Sequence, residues 1–185
     1  MRILRLPTHT PDLLERCRQG DRRAQRAFCE RYAPGMLAVC RRYVRSLEDA
    51  EEVLQNALLK ALDKLSDLVE VGSIEPWLRR IAANESLNFI RYRQNVFVAL
   101  DESDEAQTAS GFEMPTGFEA EELLRLINAL PTGYRVVFNL YAIEGYDHRE
   151  IGDMLGIDPT TSRSQLHKAR KLLQAQLEYP KLQVR

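Results

Sequence analysis

The chemistry-bearing residues of the 185-residue chain concentrate on two helix faces. Near the carboxyl end, Thr160, Arg163, Ser164, His167, Lys168 and Lys171 share one side of a helix at 100° per residue, with Thr161 beside them at the amino end. Short hydroxyls and an arginine at the start of such a helix can reach base edges in a major groove. Cations further along meet phosphates. The bland alternative is a solvated basic face on a helical hairpin.

The second face is acidic. Between Glu48 and Leu65, Ala50, Val53, Leu54, Ala57, Leu58, Ala61, Leu62 and Leu65 recur at three- and four-residue steps and form one apolar stripe. The opposite side holds Glu48, Asp49, Glu52, Gln55, Asn56, Lys60 and Asp63. Three readings stand open: plain solvated surface, a carboxylate metal site, or a docking face for a basic partner. A metal site needs inward ligands, usually with a Glu-x-x-His step, and none is present. Cys17, Cys29 and Cys40 form no CxxC pair, and His9, His148 and His167 lie in no HExxH frame. The expectation is therefore reduced, half-buried thiols, no metal, no cofactor and no catalytic residue.

Each face needs elements to hold it. The stretch HREIGDMLGIDPTTSRSQLHKARKLL has helix-turn-helix spacing. Ile151 and Leu155 face inward from the first helix. Gly152 lacks a side chain where the second helix crosses closely, Gly156 permits the turn, and Ile157 plugs the joint. In the second helix, Leu166, Ala169, Leu172, Leu173 and Leu177 cluster inward. With this turn geometry, DNA binding is favoured over the solvated-face alternative.

Helices are expected almost throughout, and no strand pattern competes. Asp12–Gln19 reads as a first helix. Asp21 caps a second through about Tyr32, and another follows Pro34 and fades near Ser46. Leu65 to Glu75 reads as a loop, with helix resuming near Ile74 and running to about Arg93. Phe118 to Ala129 is helical, Pro131 suits the first turn of a helix to Ile143, and His148–Leu155 and Pro159 to about Leu177 complete the chain. The fold class is all-α: two small helical domains, 1–95 and 118–185, joined by an extended acidic linker over 96–117.

The net charge of −1 conceals this organisation. Residues 1–95 carry 17 Lys and Arg against 13 acids, residues 96–122 carry eight acids and no base, and residues 123–185 carry nine bases against six acids. Two mildly basic blocks flank an acidic connector, which suggests two polyanion-binding units. No apolar run exceeds five residues and the start has no secretion-signal pattern, so membrane insertion is not expected and a cytoplasmic location is.

Three blocks, in order, resemble a known family. DAEEVLQNALLKAL resembles the polymerase-binding helix of bacterial extracytoplasmic-function (ECF) sigma factors, and WLRRIAANESLNFIRYRQ resembles their promoter-melting helix. ALPTGYRVVFNLYAIEGYDHREIGDMLGIDPTTSRSQLHKARKLL resembles their domain that reads the −35 element. The resemblance implies a non-enzymatic RNA polymerase sigma factor. Its partners would be core RNA polymerase (the clamp helices of the largest subunit and the flap of the second), promoter DNA, and an anti-sigma factor as a candidate. The free chain would be a monomer. Asp49, Glu52, Gln55 and Asn56 match the polymerase-docking position. The loop with Ser66, Asp67, Gly72 and Ser73 matches the one that captures a flipped base of the −10 element. Asn84 and Asn88 match positions near the melted strand, and Arg79, Arg80, Arg91 and Arg93 are suited to its phosphates. Trp77 tempts a stacking role but is placed in the core, on the Leu78/Ile81 side.

The linker is either a flexible tether or an acidic strand mimic occupying a nucleic-acid channel of the polymerase. The chain departs from the family pattern at several positions. Ser162 replaces an apolar residue, Gln165 and Lys168 stand where arginines are common, Asn88 where aspartate is common, and Leu58 where an aromatic is frequent. The rival reading is a stand-alone helix-turn-helix regulator with a helical sensor domain, which would bind DNA tightly without polymerase.

Overall fold

The structure, a computed structural model, describes residues 10–68, 73–94 and 120–182. The described residues are helical with short turns. In chain order they form α1 (Thr10–Arg18), α2 (Arg22–Tyr43), α3 (Leu47–Asp63), a 3-10 turn (Lys64–Asp67), α4 (Glu75–Gln94), α5 (Ala120–Ala129), α6 (Thr132–Phe138), a π-helical turn (Asn139–Ile143), α7 (His148–Leu155) and α8 (Pro159–Leu182). Residues 96–117 and Gly72 lie outside the described residues. The chain divides into two compact bodies, Met1–Arg41 with Ser46–Ser86 and Arg42–Arg45 with Leu87–Arg185.

In the first body, the expected break at Pro34 does not occur: α2 runs through it. Inside a helix proline loses its N–H bond to the carbonyl four residues back and crowds that carbonyl with its ring. The burial stripe Phe28, Tyr32, Met36, Val39 and Cys40 continues at helical spacing on both sides of it, so packing outweighs both effects. Asp21 caps α2 as expected, accepting from Arg23 N at 2.8 Å and Ala24 N at 3.3 Å. Ser46 caps α3 by accepting from Asp49 N at 3.2 Å. The buried residues of α3 are Ala50, Val53, Ala57 and Ala61. These small side chains let its neighbours approach closely, while Leu54, Leu58 and Leu62 are half-buried at the margins of the stripe. Lys60 on α3 pairs with Glu85 on α4. Cys17 and Cys40 are buried rather than half-buried, and no disulfide joins the three cysteines. Burial pushes the Cys17 thiol up to about 11, so it stays protonated and inert.

In the second body, Pro131 stands at the cap of α6 rather than inside its first turn. The helix then widens over Asn139–Ile143, where Glu144 N bonds to Asn139 O at 3.0 Å. Among the described residues the buried Arg135 has carbonyl partners: its guanidinium donates to Tyr43 O, Asn128 O and Leu130 O at 3.1–3.3 Å. Burial, aided by the nearby Arg45, pushes it down to about 10. It still carries its charge near neutral pH.

Asp147 and Glu150 close a capping box at the start of α7. Gly156 ends α7 in the left-handed conformation at φ 69°, and its N–H and that of Ile157 both bond to Gly152 O. Ile151, Leu155, Leu166, Ala169 and Leu173 close the core between α7 and α8. Leu172, expected inward, is 40% exposed. It lies a further 100° round the helix from the buried Leu173, which takes the inward position.

Candidate nucleic-acid and polymerase interfaces

The turn geometry sets how α8 is presented. Asp158 precedes it and accepts from Thr160 N at 2.7 Å, and this bond holds the Asp158 carboxyl below its usual range. Thr160, Arg163 and Lys171 are exposed, and Ser164, His167 and Lys168 on the same stripe are half-buried. Thr161, 100° round from Thr160, is also half-buried. Ser162 and Gln165 are buried, at 0% and 4% exposure. The helix thus offers one polar, basic side, with hydroxyls at its amino end and cations beyond. That arrangement suits hydrogen bonding to base edges and pairing with phosphates.

The polar face of α3 presents Glu52, Gln55 and Asn56 to solvent, with Asp49 half-buried. Leu59 sits in the middle of that face at 63% exposure. It is four residues beyond Gln55 and three beyond Asn56, so it points their way rather than into the core. Sequence reasoning passed over it, although a leucine one step off the apolar stripe was a readable signal. Leu59 is thus an exposed apolar group among the carboxylates and amides of this face. No group of three or more His, Cys, Asp or Glu residues suited to a metal ion occurs among the described residues.

Along α4, Arg80, Asn84, Asn88 and Arg91 fall within a narrow sector by helical geometry, whereas Arg79 projects about 140° away from Asn84. Arg79, Arg80, Asn88 and Arg91 are exposed, and Asn84 is half-buried. Trp77 does not join Leu78 and Ile81 in the buried core. It is half-buried, on the border between that core and the Asn84 sector. Arg93 lies over the Phe89 ring at 4.8 Å, and Tyr92, 93% exposed, stands between Arg91 and Arg93. Sequence reasoning also missed this aromatic.

Of the loop before α4, Ser66, Asp67 and Ser73 are exposed and Gly72 is outside the described residues. Its start is held from α1. Arg18 Nε donates to Leu65 O and Arg18 Nη2 to Leu68 O, both at 2.9 Å. Ser73 Oγ bonds to the Glu75 carboxylate at the other end.

Comparison with known proteins covers most of the described helices. Residues 28–96 match the family model of sigma-70 region 2, and residues 120–173 match that of sigma-70 region 4. Among curated relatives, the RNA polymerase sigma factor CarQ of Myxococcus xanthus is 28% identical over 172 residues, covering 92% of this chain and 99% of CarQ. The ECF RNA polymerase sigma-E factor of Escherichia coli is 27% identical over 173 residues, covering 87% and 90%. The probable sigma factor RfaY of Xanthomonas campestris is 26% identical over 147 residues, and there the match spans only 37% of the relative. Two solved structures share the fold. CnrH in complex with the cytosolic domain of CnrY has a TM-score of 0.50 at 22% identity, covering 91% of this chain and 96% of that one. The sigma factor RpoE in complex with the anti-sigma factor NepR, from Bartonella quintana, has 0.51 at 21%, covering 83% and 96%.

The protein is thus built of sigma region 2 and sigma region 4 modules. The chain belongs to the sigma-70 family, in its extracytoplasmic-function class of RNA polymerase sigma factors.

Proposed function

We propose that the chain docks on core RNA polymerase through the α3 face of Asp49, Glu52, Gln55 and Asn56, extended by Leu59. The holoenzyme is then carried to a promoter whose −35 element is read by the outer side of α8. Arg163, Ser164 and the two threonines meet bases, and His167, Lys168 and Lys171 line the phosphate track. The loop of Ser66, Asp67, Gly72 and Ser73 takes an extruded −10 base. Asn84, Asn88, Arg80 and Arg91 follow the melted strand, and Arg79 reaches phosphate from the side. The working division is a region-2 domain over 1–95, an acidic linker over 96–117 and a region-4 domain over 118–185. The linker threads a basic channel of the polymerase or serves as a tether. The chain performs no covalent chemistry and acts in the cytoplasm, where the polymerase is. An anti-sigma factor is a candidate regulator.

The observation that carries this reading is the presence of region 2 and region 4 together, in that order, in one chain. A stand-alone helix-turn-helix regulator needs only the second. Neither half is strongly basic, so each DNA contact is weak alone and selectivity comes from holding two modest sites on one machine. Run-off transcription with core polymerase and a promoter library tests it. Selective initiation is expected. Tight, selective duplex binding by the isolated chain, with no effect on polymerase, would overturn it.

A further inference from the structure

Ser162 is fully buried in α8. A buried hydroxyl needs a partner, and Ser162 Oγ lies 2.9 Å from His148 Nδ1. His148 opens α7, the first helix of the helix-turn-helix. Its ring stacks on Tyr141 of the π-helical turn, with centroids 4.6 Å apart and an interplanar angle of 20°. The Tyr141 ring in turn lies 5.6 Å from the Arg170 guanidinium of α8. Three elements are therefore tied together at one imidazole.

The groups around His148 settle its charge. Burial and the positive charges of Arg163 and Arg170 lower its pKa from 6.5, and the opposing pull of Asp147 is weaker. At pH 7 the ring is neutral, with one N–H to place. The bond to Ser162 is directional, unlike an apolar contact. An apolar contact tolerates sliding, whereas a hydrogen bond weakens steeply once its angle or distance drifts. Arg163 and Ser164 follow Ser162 directly, about 100° and 200° round α8 from it. A rotation of α8 by roughly 20° would carry a tip ~6 Å from the helix axis about 2 Å sideways, beyond hydrogen-bond range of a base edge.

We propose that His148 is a positioning residue for −35 reading: its bond to Ser162 fixes the rotation of α8, and with it where Arg163 and Ser164 meet the bases. The inference rests on α8 being the −35 reader. It concerns a residue that touches no base itself.

The test uses the full chain with core polymerase. The probe is a linear template pool, built on the template most active with the natural chain and randomised only in the −35 segment. Run-off products are counted by sequencing. Ser162→Ala removes the hydroxyl with the least change in packing, and His148→Ala removes the ring. Each should flatten the −35 sequence preference about fivefold, and the double variant should be no worse than either single. His148→Asn, which places an amide near the Nδ1 position, should restore most of the preference. Co-elution with core polymerase should not change. Three results would each overturn the proposal: an unchanged preference in both singles, additive losses in the double, or an equal fall on every template with preference intact. If the natural chain initiates transcription but shows no −35 preference, the assignment of α8 fails and the proposal with it. If only the variants behave like the natural chain, the proposal fails alone.

Discussion

Gly152 and Ile157 stand so close across the turn between α7 and α8 that a Cβ on residue 152 would come within 2.8 Å of Ile157 O. The obstacle is backbone, held in turn by the Ile157 N–H bond to Gly152 O at 3.1 Å, so it cannot swing aside as a side chain would. Gly152→Val should therefore destabilise the helix-turn-helix by at least about 2 kcal/mol. Gly152→Ala puts the same Cβ against that oxygen and should also destabilise, by less than valine because alanine in place of a helical glycine returns about 1 kcal/mol. Thermal unfolding followed by circular dichroism checks both. A valine variant as stable as the natural chain would mean the turn has slack.

The polymerase face allows a test in which folding is not at stake. Glu52 and Gln55 are exposed, so Glu52→Lys combined with Gln55→Ala should leave helicity intact while abolishing co-elution with core polymerase. Leu59→Ala removes the exposed leucine at the centre of the same face and should weaken binding by about 1–2 kcal/mol, roughly five- to thirtyfold. Unchanged affinity in both variants would leave α3 as solvated surface.

The helix-turn-helix was legible because each of its residues has a separate steric reason. An inward Ile151 and Leu155, a glycine at the crossing and another in the left-handed turn leave little choice of fold. Helix α3 was legible from its stripe. Pro34 misled because a local rule, that proline ends helices, was overridden by burial on both sides of it, which depends on packing partners distant in sequence. Arg135 and the His148–Ser162 bond were invisible for the same reason. Their partners lie 5 to 92 and 14 residues away, and no periodicity encodes which carbonyl or ring they meet. Within the candidate sites, the residue types could be read from sequence, but their exposure could not. Leu59 and Tyr92 became candidates only once they were seen in solvent.

Base reading by α8 predicts a selective loss. Arg163→Ala and Ser164→Ala should each cost roughly 1–3 kcal/mol of discrimination at the −35 element. Lys171→Ala, at the phosphate end, should weaken all templates alike and reduce the salt dependence of binding. Competition between matched and altered −35 templates, run at two salt concentrations, separates the effects. Normal discrimination in both the Arg163 and Ser164 variants would remove α8 as the reader.

His148 also predicts how stability follows pH. Its pKa is lowered in the folded state below 6.5 by burial, Arg163 and Arg170, against Asp147. Below 6.5 the unfolded chain therefore binds more protons than the folded one, and stability must rise with pH through that window. The contribution is complete above about pH 6.5 and is progressively lost as pH falls towards the depressed folded value. Thermal melts of the natural chain between about pH 5 and pH 7.5 should show this slope, and His148→Ala should flatten it. An equal slope in the variant would assign the effect to other groups.

The −10 loop gives the last test, because its anchoring and its chemistry reside in different residues. Arg18 holds the start of the loop through Leu65 O and Leu68 O but lies on α1, a different helix from Asn84 of α4. Asn84→Ala removes a group proposed to lie against the melted strand. Arg18→Ala leaves that group in place and frees the loop, at about 1 kcal/mol for each lost hydrogen bond. Both variants should slow promoter opening more than they weaken polymerase binding, as read by permanganate footprinting of the −10 segment. A template melted in advance over that segment should rescue both in part, since the unpairing cost is then already met. The Arg18 variant should recover less, because a loosened loop still has to be ordered around the extruded base. Absence of rescue in either variant would mean that these residues do not act in strand opening.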